Sequence, residues 1–515
     1  MAPESQDQKV VTITETTTDT EKQSEQAPLH TTFTTRQRIF IVTMTALASF
    51  FSPLSGQIYF PAIPLLAQDY HTSVGKINLT ITTYMILQGF APTIMGSFGD
   101  TTGRRPAYIV TFALYFAANI GLATQKSYAA LLVLRCLQSA GSSGTIALGF
   151  GVVADICTPA ERGKYLGPVA AGVMLAPSFG PTIGGLLTHY LGWRSIFWFL
   201  SVISGVYLFF YILFMPETAR KVVGDGSIVP RNWYSMSVVQ YWKARQKSKS
   251  EIEADREAQK LDPKPKFRLP NPWDSIKVLR EKDALVIILY ISLTMTAFMS
   301  LMASMPSLYG EVYGFNSLQV GFCYIPFGIS AGLAAILNGK LMDFNYRRWA
   351  KKLNMPLEKK RQTDLRDFPI EKVRLQPVFI FVPIAVATYL PIGWVLQERV
   401  NLAVPLILNF IGGFCVVACS NTLQSLLVDL FPDTPAIVMA TSNLLRCWTA
   451  GAGAAAISPM LNAMGWGWCF FFWGLVILFA LSFLWFEYMW GMRWREQRRL
   501  RMAKKKEELE QKGEK

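Results

Sequence analysis

The chain alternates between long apolar runs and short polar connections. Twelve runs stand out, near 39–61, 77–98, 106–124, 128–154, 164–187, 193–215, 284–308, 317–341, 375–396, 402–428, 436–461 and 467–490. About twenty apolar residues wound as a helix cross the ~30 Å hydrocarbon core of a bilayer, so each run predicts a membrane-spanning α-helix. Between the sixth and seventh runs lies a polar stretch containing Pro263, Pro265, Pro270 and Pro272. The expected organisation is a disordered tail rich in Thr, Glu, Gln and Ser (1–37), a six-helix bundle (38–215), a central loop (216–283), a second six-helix bundle (284–490) and a basic tail (491–515). The fold class is an all-α polytopic membrane protein whose solvent is the lipid bilayer.

Composition agrees, with 51% hydrophobic and 17% charged residues over 515 positions. The net charge of +15 raises the question of nucleic acid, and its placement answers it. Apart from Arg135 and Arg446 inside spans, only Lys76, Lys126, Arg194 and Arg399 fall outside one alternating set of connections. That asymmetry is the positive-inside pattern, which puts both termini in the cytosol and argues against a nucleic-acid partner. The plasma membrane is the expected location, the vacuolar membrane the alternative. Seven cysteines in or beside spans show no disulfide or zinc spacing, and no phosphate loop or catalytic triad is present. The chain is therefore expected to be neither an enzyme nor a holder of metal or cofactor.

Three constellations interrupt the apolar pattern. In the fifth span Gly172, Ala176, Gly180 and Gly184 recur every fourth residue, with Pro177, Pro181 and Gly185 among them. Small residues at that spacing let two helix backbones approach closely. After the second span come Gly96, Asp100, Gly103, Arg104 and Arg105, echoed after the eighth by Gly339, Asp343, Arg347 and Arg348. The fourth span carries Arg135, Gln138, Ser142 and Thr145 on one helix face, and the eleventh carries Asn443 and Arg446. A mid-span arginine costs at least ~2.5–3.5 kcal/mol on insertion scales, so Arg135 is expected to face a wet cavity. Asp69, Asp100, Asp155, Glu311, Asp343 and Asp429 sit near span ends or in loops, and no acid lies mid-span.

These residues resemble the major facilitator superfamily, in particular its twelve-span drug:proton antiporters and a fungal subgroup of quinidine-resistance, dityrosine and organic-acid exporters. The fifth-span stretch matches that family's G-x-x-x-A-P-x-x-G-P-x-x-G-G, and residues 96–105 match G-x-x-x-D-x-x-G-R-R with Thr101 where a basic residue is common. Arg135 and Gln138 match R-x-x-Q-G with Ser139 in place of the glycine.

The resemblance implies two six-helix pseudo-repeats rocking about a midplane cavity, with Gly172–Gly185 at the bundle interface. Asp100 and Asp343 would latch the outward-open form. It also implies a monomer that exports a small molecule, with multidrug or secondary-metabolite efflux the leading expectation. Two arginines without a buried acid favour an alternative, export of a di- or tricarboxylate, and put proton exchange in question. A receptor or scaffold that has lost transport is the alternative from another class.

Overall fold

A computed structural model describes residues 31–158, 161–228, 230, 233–244, 277–353, 368–432 and 434–513. The tail before residue 31 and the prolines of the central segment lie outside the described residues. Twelve long helices carry the chain: α1 Thr35–Gln57, α2 Val74–Thr102, α3 Arg104–Thr124, α4 Tyr128–Ile156, α5 Arg162–Leu191, α6 Arg194–Phe214, α7 Lys282–Tyr313, α8 Ile325–Lys352, α9 Ile370–Gln397, α10 Ala403–Leu430, α11 Pro435–Met464 and α12 Trp466–Gly513. Local chemistry sets their starts. Thr34 and Gln37 form a reciprocal capping box ahead of α1, and the Ser73 hydroxyl accepts from the Lys76 amide at α2.

Among the described residues ten helical segments are long and apolar enough to cross a membrane, and α2 and α11 fall short of that. The reason is visible in their packing, because these two helices meet across the halves through polar groups. Asn78 Nδ2 donates to Ser458 Oγ (3.3 Å), Thr82 Oγ1 to the Gly451 carbonyl (2.7 Å), and Asn443 Nδ2 to the Gln88 carbonyl (3.2 Å). Within the first half α1 packs on α5, α2 on α4, and α3 on α4 and α6. In the second half α7 packs on α11 and α12, α9 on α10 and α12, and α8 on α10. The second seam between halves runs from α5 to α8 and the one-turn helix Ser317–Phe322 before it.

The start of α1 and the end of α12 lie at one end of the bundle. There Arg38 pairs with Glu161 at 3.2 Å, and the Thr32 amide donates to the Asp225 carbonyl. The contacts of α5 with the second half lie toward the opposite end. Ser178, Thr182 and Gly185 of α5 touch Gly328, Gly321 and Ser317, whereas Gly167 of α5 and Gly332 and Gly339 of α8 have no neighbour within 4 Å of a Cβ position. The last helix runs 23 residues past the expected span end at 490, to Gly513. Its arginines hold it down: Arg495 pairs with Glu371, Arg498 with Asp283, and Arg501 with Glu281.

Candidate functional site

Helix α4 turns Arg135, Gln138, Ser142 and Thr145 inward, as their spacing requires, and all four are buried. Arg135 is enclosed rather than facing an open cavity, which corrects the expectation for its surroundings. Its guanidinium lies between two rings, 4.3 Å from the Tyr59 centroid and 4.4 Å from that of Tyr84. Each such contact is worth about 0.5–2 kcal/mol when desolvated. Both tyrosines are fixed by their hydroxyls: Thr80 Oγ1 donates to Tyr59 (2.9 Å), and Tyr84 donates to the Ser52 carbonyl (3.0 Å). Arg135 Nη1 donates to Gln138 Oε1 (2.6 Å), and Gln138 Nε2 passes the chain on to Asn119 Oδ1 (2.8 Å). Arg135 Nε and Nη2 have no hydrogen-bond partner, and no carboxylate among the described residues pairs with this cation.

Arg446 stands in a different setting. It is half-buried on α11, and its Nη2 donates to Asn443 Oδ1 (2.7 Å). Asn443 in turn bonds the Gln88 backbone of the first half. The pair thus sits on the α2–α11 seam, next to Gly89, whose missing Cβ lets Leu444 and Trp448 approach. Helix α2 stands between the two arginines. It offers the Tyr84 ring and the Thr83 carbonyl to α4, and Gln88 and Gly89 to α11.

The turn after α2 is built on Gly103, whose φ of 113° disfavours any other residue. Buried Glu217, beyond α6, accepts from the amides of Arg104 (2.8 Å), Arg105 (3.2 Å), Thr218 (2.8 Å) and Ala219 (2.9 Å). Its carboxylate therefore caps α3 from another element. Burial pushes the Glu217 carboxyl above its ordinary value, against the pull of these amide donors.

Arg105 donates to the carbonyls of Met215 (3.0 Å), Ile212 (2.7 Å) and Tyr234. Arg104 bridges Asp100 (2.6 Å) and Asp155 (2.9 Å), so the half-exposed Asp100 pairs within its own turn and reaches no part of the second half. A Cβ on Gly96 would find only Ala147, 4.0 Å away. In the second half Asp343, Arg347 and Arg348 are exposed on α8. The counterpart of Arg104–Asp155 is Arg374–Asp429, at 3.0 Å.

The small-residue stretch of α5 divides between two neighbours. Gly172, Gly180 and Gly184 face α1 of the same half, where added Cβ atoms would meet the Ala46 carbonyl, the Ile58 amide and the Ile58 carbonyl. Ser178, Pro181, Thr182 and Gly185 face the second half: Pro181 and Gly185 meet Gly321, and Ser178 fills the space beside Gly328. Pro177 and Pro181 lie inside the helix between these contacts. Only part of the stretch is thus interface between halves.

At the end opposite the termini a cavity of about 880 Å³ opens between the halves, lined by Gln68, His71, His189, Ser307 and Asn316 among others. Beside it Phe60 of the first half stacks on Tyr324 of the second, 6.2 Å between centroids. Glu487, which the sequence reading does not single out, lies near the end of the run 467–490 and is fully buried. Glu371 and Asp283, also buried, stand just outside the runs at 375 and 284. Their adjacency to apolar runs was the available signal.

Comparison with known proteins agrees with this architecture. A family model described as Major Facilitator Superfamily matches residues 45–454. The chain is 42% identical over 495 residues to the MFS-type transporter phiD of a fungal species (96% of this chain, 73% of the relative). It is 38% identical over 475 residues to the MFS-type transporter tstD of Talaromyces stipitatus (92% and 85%), and 35% identical over 490 residues to Citrate exporter 1 of Aspergillus niger (94% and 92%). Its fold is similar to the crystal structure of the human organic anion transporter MFSD10, with TM-score 0.53 and 17% identity, over 89% of this chain and 100% of that one.

Proposed function

The chain belongs to the major facilitator superfamily, and from that premise we propose that it exports a carboxylate-bearing metabolite by alternating access of its two halves. It is a multi-pass membrane transporter, not an enzyme. The observation that carries the finer reading is the pair of span arginines without a carboxylate partner. Arg446, half-buried at the α2–α11 seam, is the accessible cation that meets the substrate. Arg135, locked between Tyr59 and Tyr84, adds positive potential from inside the first half. Similarity to a citrate exporter over 94% of the chain supports the same substrate class.

The terminus-bearing end is the cytosolic one in this reading, as the positive-inside pattern asks. Asp100, free of the second half, is then the disengaged latch. With a negative cell interior, export of an anion gains ~2.3 kcal/mol per charge per 100 mV, so the gradient alone drives it. Efflux of amphipathic cationic compounds is the second reading from the family resemblance, and the uncompensated arginines oppose it.

The test is efflux from cells expressing the protein, loaded in parallel with labelled citrate and a cationic dye, with and without a protonophore. Citrate efflux that follows membrane potential and falls in Arg446→Gln supports the proposal. Dye efflux without citrate efflux would overturn it.

A further inference from the structure

The second half holds a buried charge cluster that the transport reading leaves unused, where α7, α9 and α12 meet at the terminus-bearing end. Asp283 comes from α7, Glu371 from α9 and Glu487 from α12, and each is at most 1% exposed. Among the described residues two cations reach them, both from the extension of α12. Arg495 Nε lies 3.2 Å from Glu371 Oε1, and Arg498 Nη1 contacts Asp283 Oδ2 at very short range. Both arginines are anchored besides: Arg495 donates to the Phe368 carbonyl (3.0 Å), and Arg498 donates to that of Leu430 (2.8 Å) and lies over the Phe431 ring. The remaining charges nearby are engaged elsewhere. Arg374 pairs with Asp429, the more exposed Arg501 with Glu281, and Lys372 lies 5.9 Å from the Tyr488 ring centroid.

Among the described residues three buried carboxylates thus meet two cations: Glu371 has no hydrogen-bond partner but keeps the Arg495 ion pair, and Glu487 is the one without an ion pair. Both of its oxygens are buried without a hydrogen-bond partner. It also lies against Glu371, for a Cβ on Gly491 would meet Glu487 Oε1 at 2.6 Å and Glu371 Cγ at 3.0 Å. An ionised Glu487 would be an unpaired buried charge beside a like charge, which is among the costliest arrangements a protein interior can hold. The first half shows how a buried acid at such a place is satisfied. Glu217 has four backbone N–H donors, and Glu487 has none.

We propose that Glu487 is a proton-binding site, filled from water at the terminus-bearing end, and that the bound proton lets α12 stay packed against α9. The ligand is a proton rather than a metal ion, since among the described residues no three carboxylates, histidines or cysteines are placed to hold a metal. The inference is independent of which substrate is exported.

Charge counting makes it testable in the full-length protein in lipid nanodiscs, by infrared absorption of protonated carboxyl groups as pH is raised. The wild type should show a protonated-carboxyl band at neutral pH that disappears on alkalinisation, and Glu487→Gln should lack it. Arg495→Gln removes one cation, so the band should grow as Glu371 also takes a proton. An unchanged band in Glu487→Gln, or none added in Arg495→Gln, would overturn the assignment. Thermal unfolding supplies a second readout if one variant folds poorly. A proton kept by the folded state and already released by the unfolded chain makes stability fall as pH rises. The wild-type melting temperature should therefore drop from neutral to mildly alkaline pH more steeply than that of Glu487→Gln, and equal slopes would sink the proposal.

Discussion

Gly184 and Gly185 are adjacent in α5, yet the structure assigns them different jobs. A methyl group on Gly184 would run into the Ile58 carbonyl of α1, inside the first half. On Gly185 it would run into the Ser317 carbonyl and come within 3.1 Å of Gly321 Cα, across the seam to the second half. All of these obstacles are backbone and do not swing aside. Overpacking of this kind costs about 1–3 kcal/mol. If the halves rock as bodies, the Gly184→Ala cost is present in every state of the cycle and appears as lost stability. The Gly185→Ala cost is present only while α5 and α8 are closed at this end. It should therefore shift the population away from the form described here, by about 5- to 150-fold for 1–3 kcal/mol. Single cysteines placed at the two ends of the α5–α8 seam report this through their rates of alkylation. Gly185→Ala should raise labelling at the end opposite the termini and lower it at the terminus-bearing end, with little change in melting temperature. Gly184→Ala should lower the melting temperature and leave the labelling ratio unchanged. The same response from both variants would refute the division of this helix between two neighbours.

Arg446→Gln removes the accessible cation, and a charge-assisted hydrogen bond is worth about 1.5–3 kcal/mol, so anion efflux at low substrate should fall roughly 10-fold or more. An unchanged half-saturating concentration would exclude Arg446 from binding. Tyr84→Phe keeps the ring over Arg135 and loses only hydroxyl bonds, whereas Tyr84→Leu strips the ring as well. Thermal unfolding in detergent should rank wild type above Tyr84→Phe and Tyr84→Phe well above Tyr84→Leu, and equal losses would assign the effect to the hydroxyl. Glu217→Gln turns amide hydrogens toward backbone N–H groups and should cost about 1–3 kcal/mol. An unaltered melting temperature would show that the α3 cap is dispensable.

The twelve helices were legible because lipid enforces a long apolar run for each crossing, and that signal is local. The parts that were not legible depend on distant partners. The apolar run of the last span ends near 490, and nothing within a window there shows that Arg495 and Arg498 will find Glu371 and Asp283. The echo of residues 96–105 at 339–348 was correct as a spacing, but one position breaks it. Tyr346 stands where the first half has Gly103, so α8 does not turn there and continues to Lys352. Arg347 and Arg348 are carried along an exposed helix, and the pairing made by Arg104 is made instead by Arg374 at the next helix start. Arg135 stands out in the sequence by its cost in a membrane. That the cost is met by two tyrosine faces instead of a wet cavity required knowing what α1 and α2 bring to α4.

The repeat therefore supplies a common frame, and departures from it mark where the halves do different work. In the first half the span arginine is sealed behind rings and the end acid is capped by backbone amides. In the second half the span arginine stands on the seam and the end acid is bare. The seam itself fits a moving part. Its bonds join a side chain to a backbone carbonyl at Thr82–Gly451, Thr182–Gly321 and Asn443–Gln88 and two neutral side chains at Asn78–Ser458, and no ion pair crosses it among the described residues. Such neutral bonds are each worth about 1 kcal/mol net, because water takes over both partners when the halves part. An ion pair buried there would leave two stranded charges at every opening. Keeping the charges within each half, and weak exchangeable bonds between halves, lets the two bodies stay rigid while the contact between them is broken and remade.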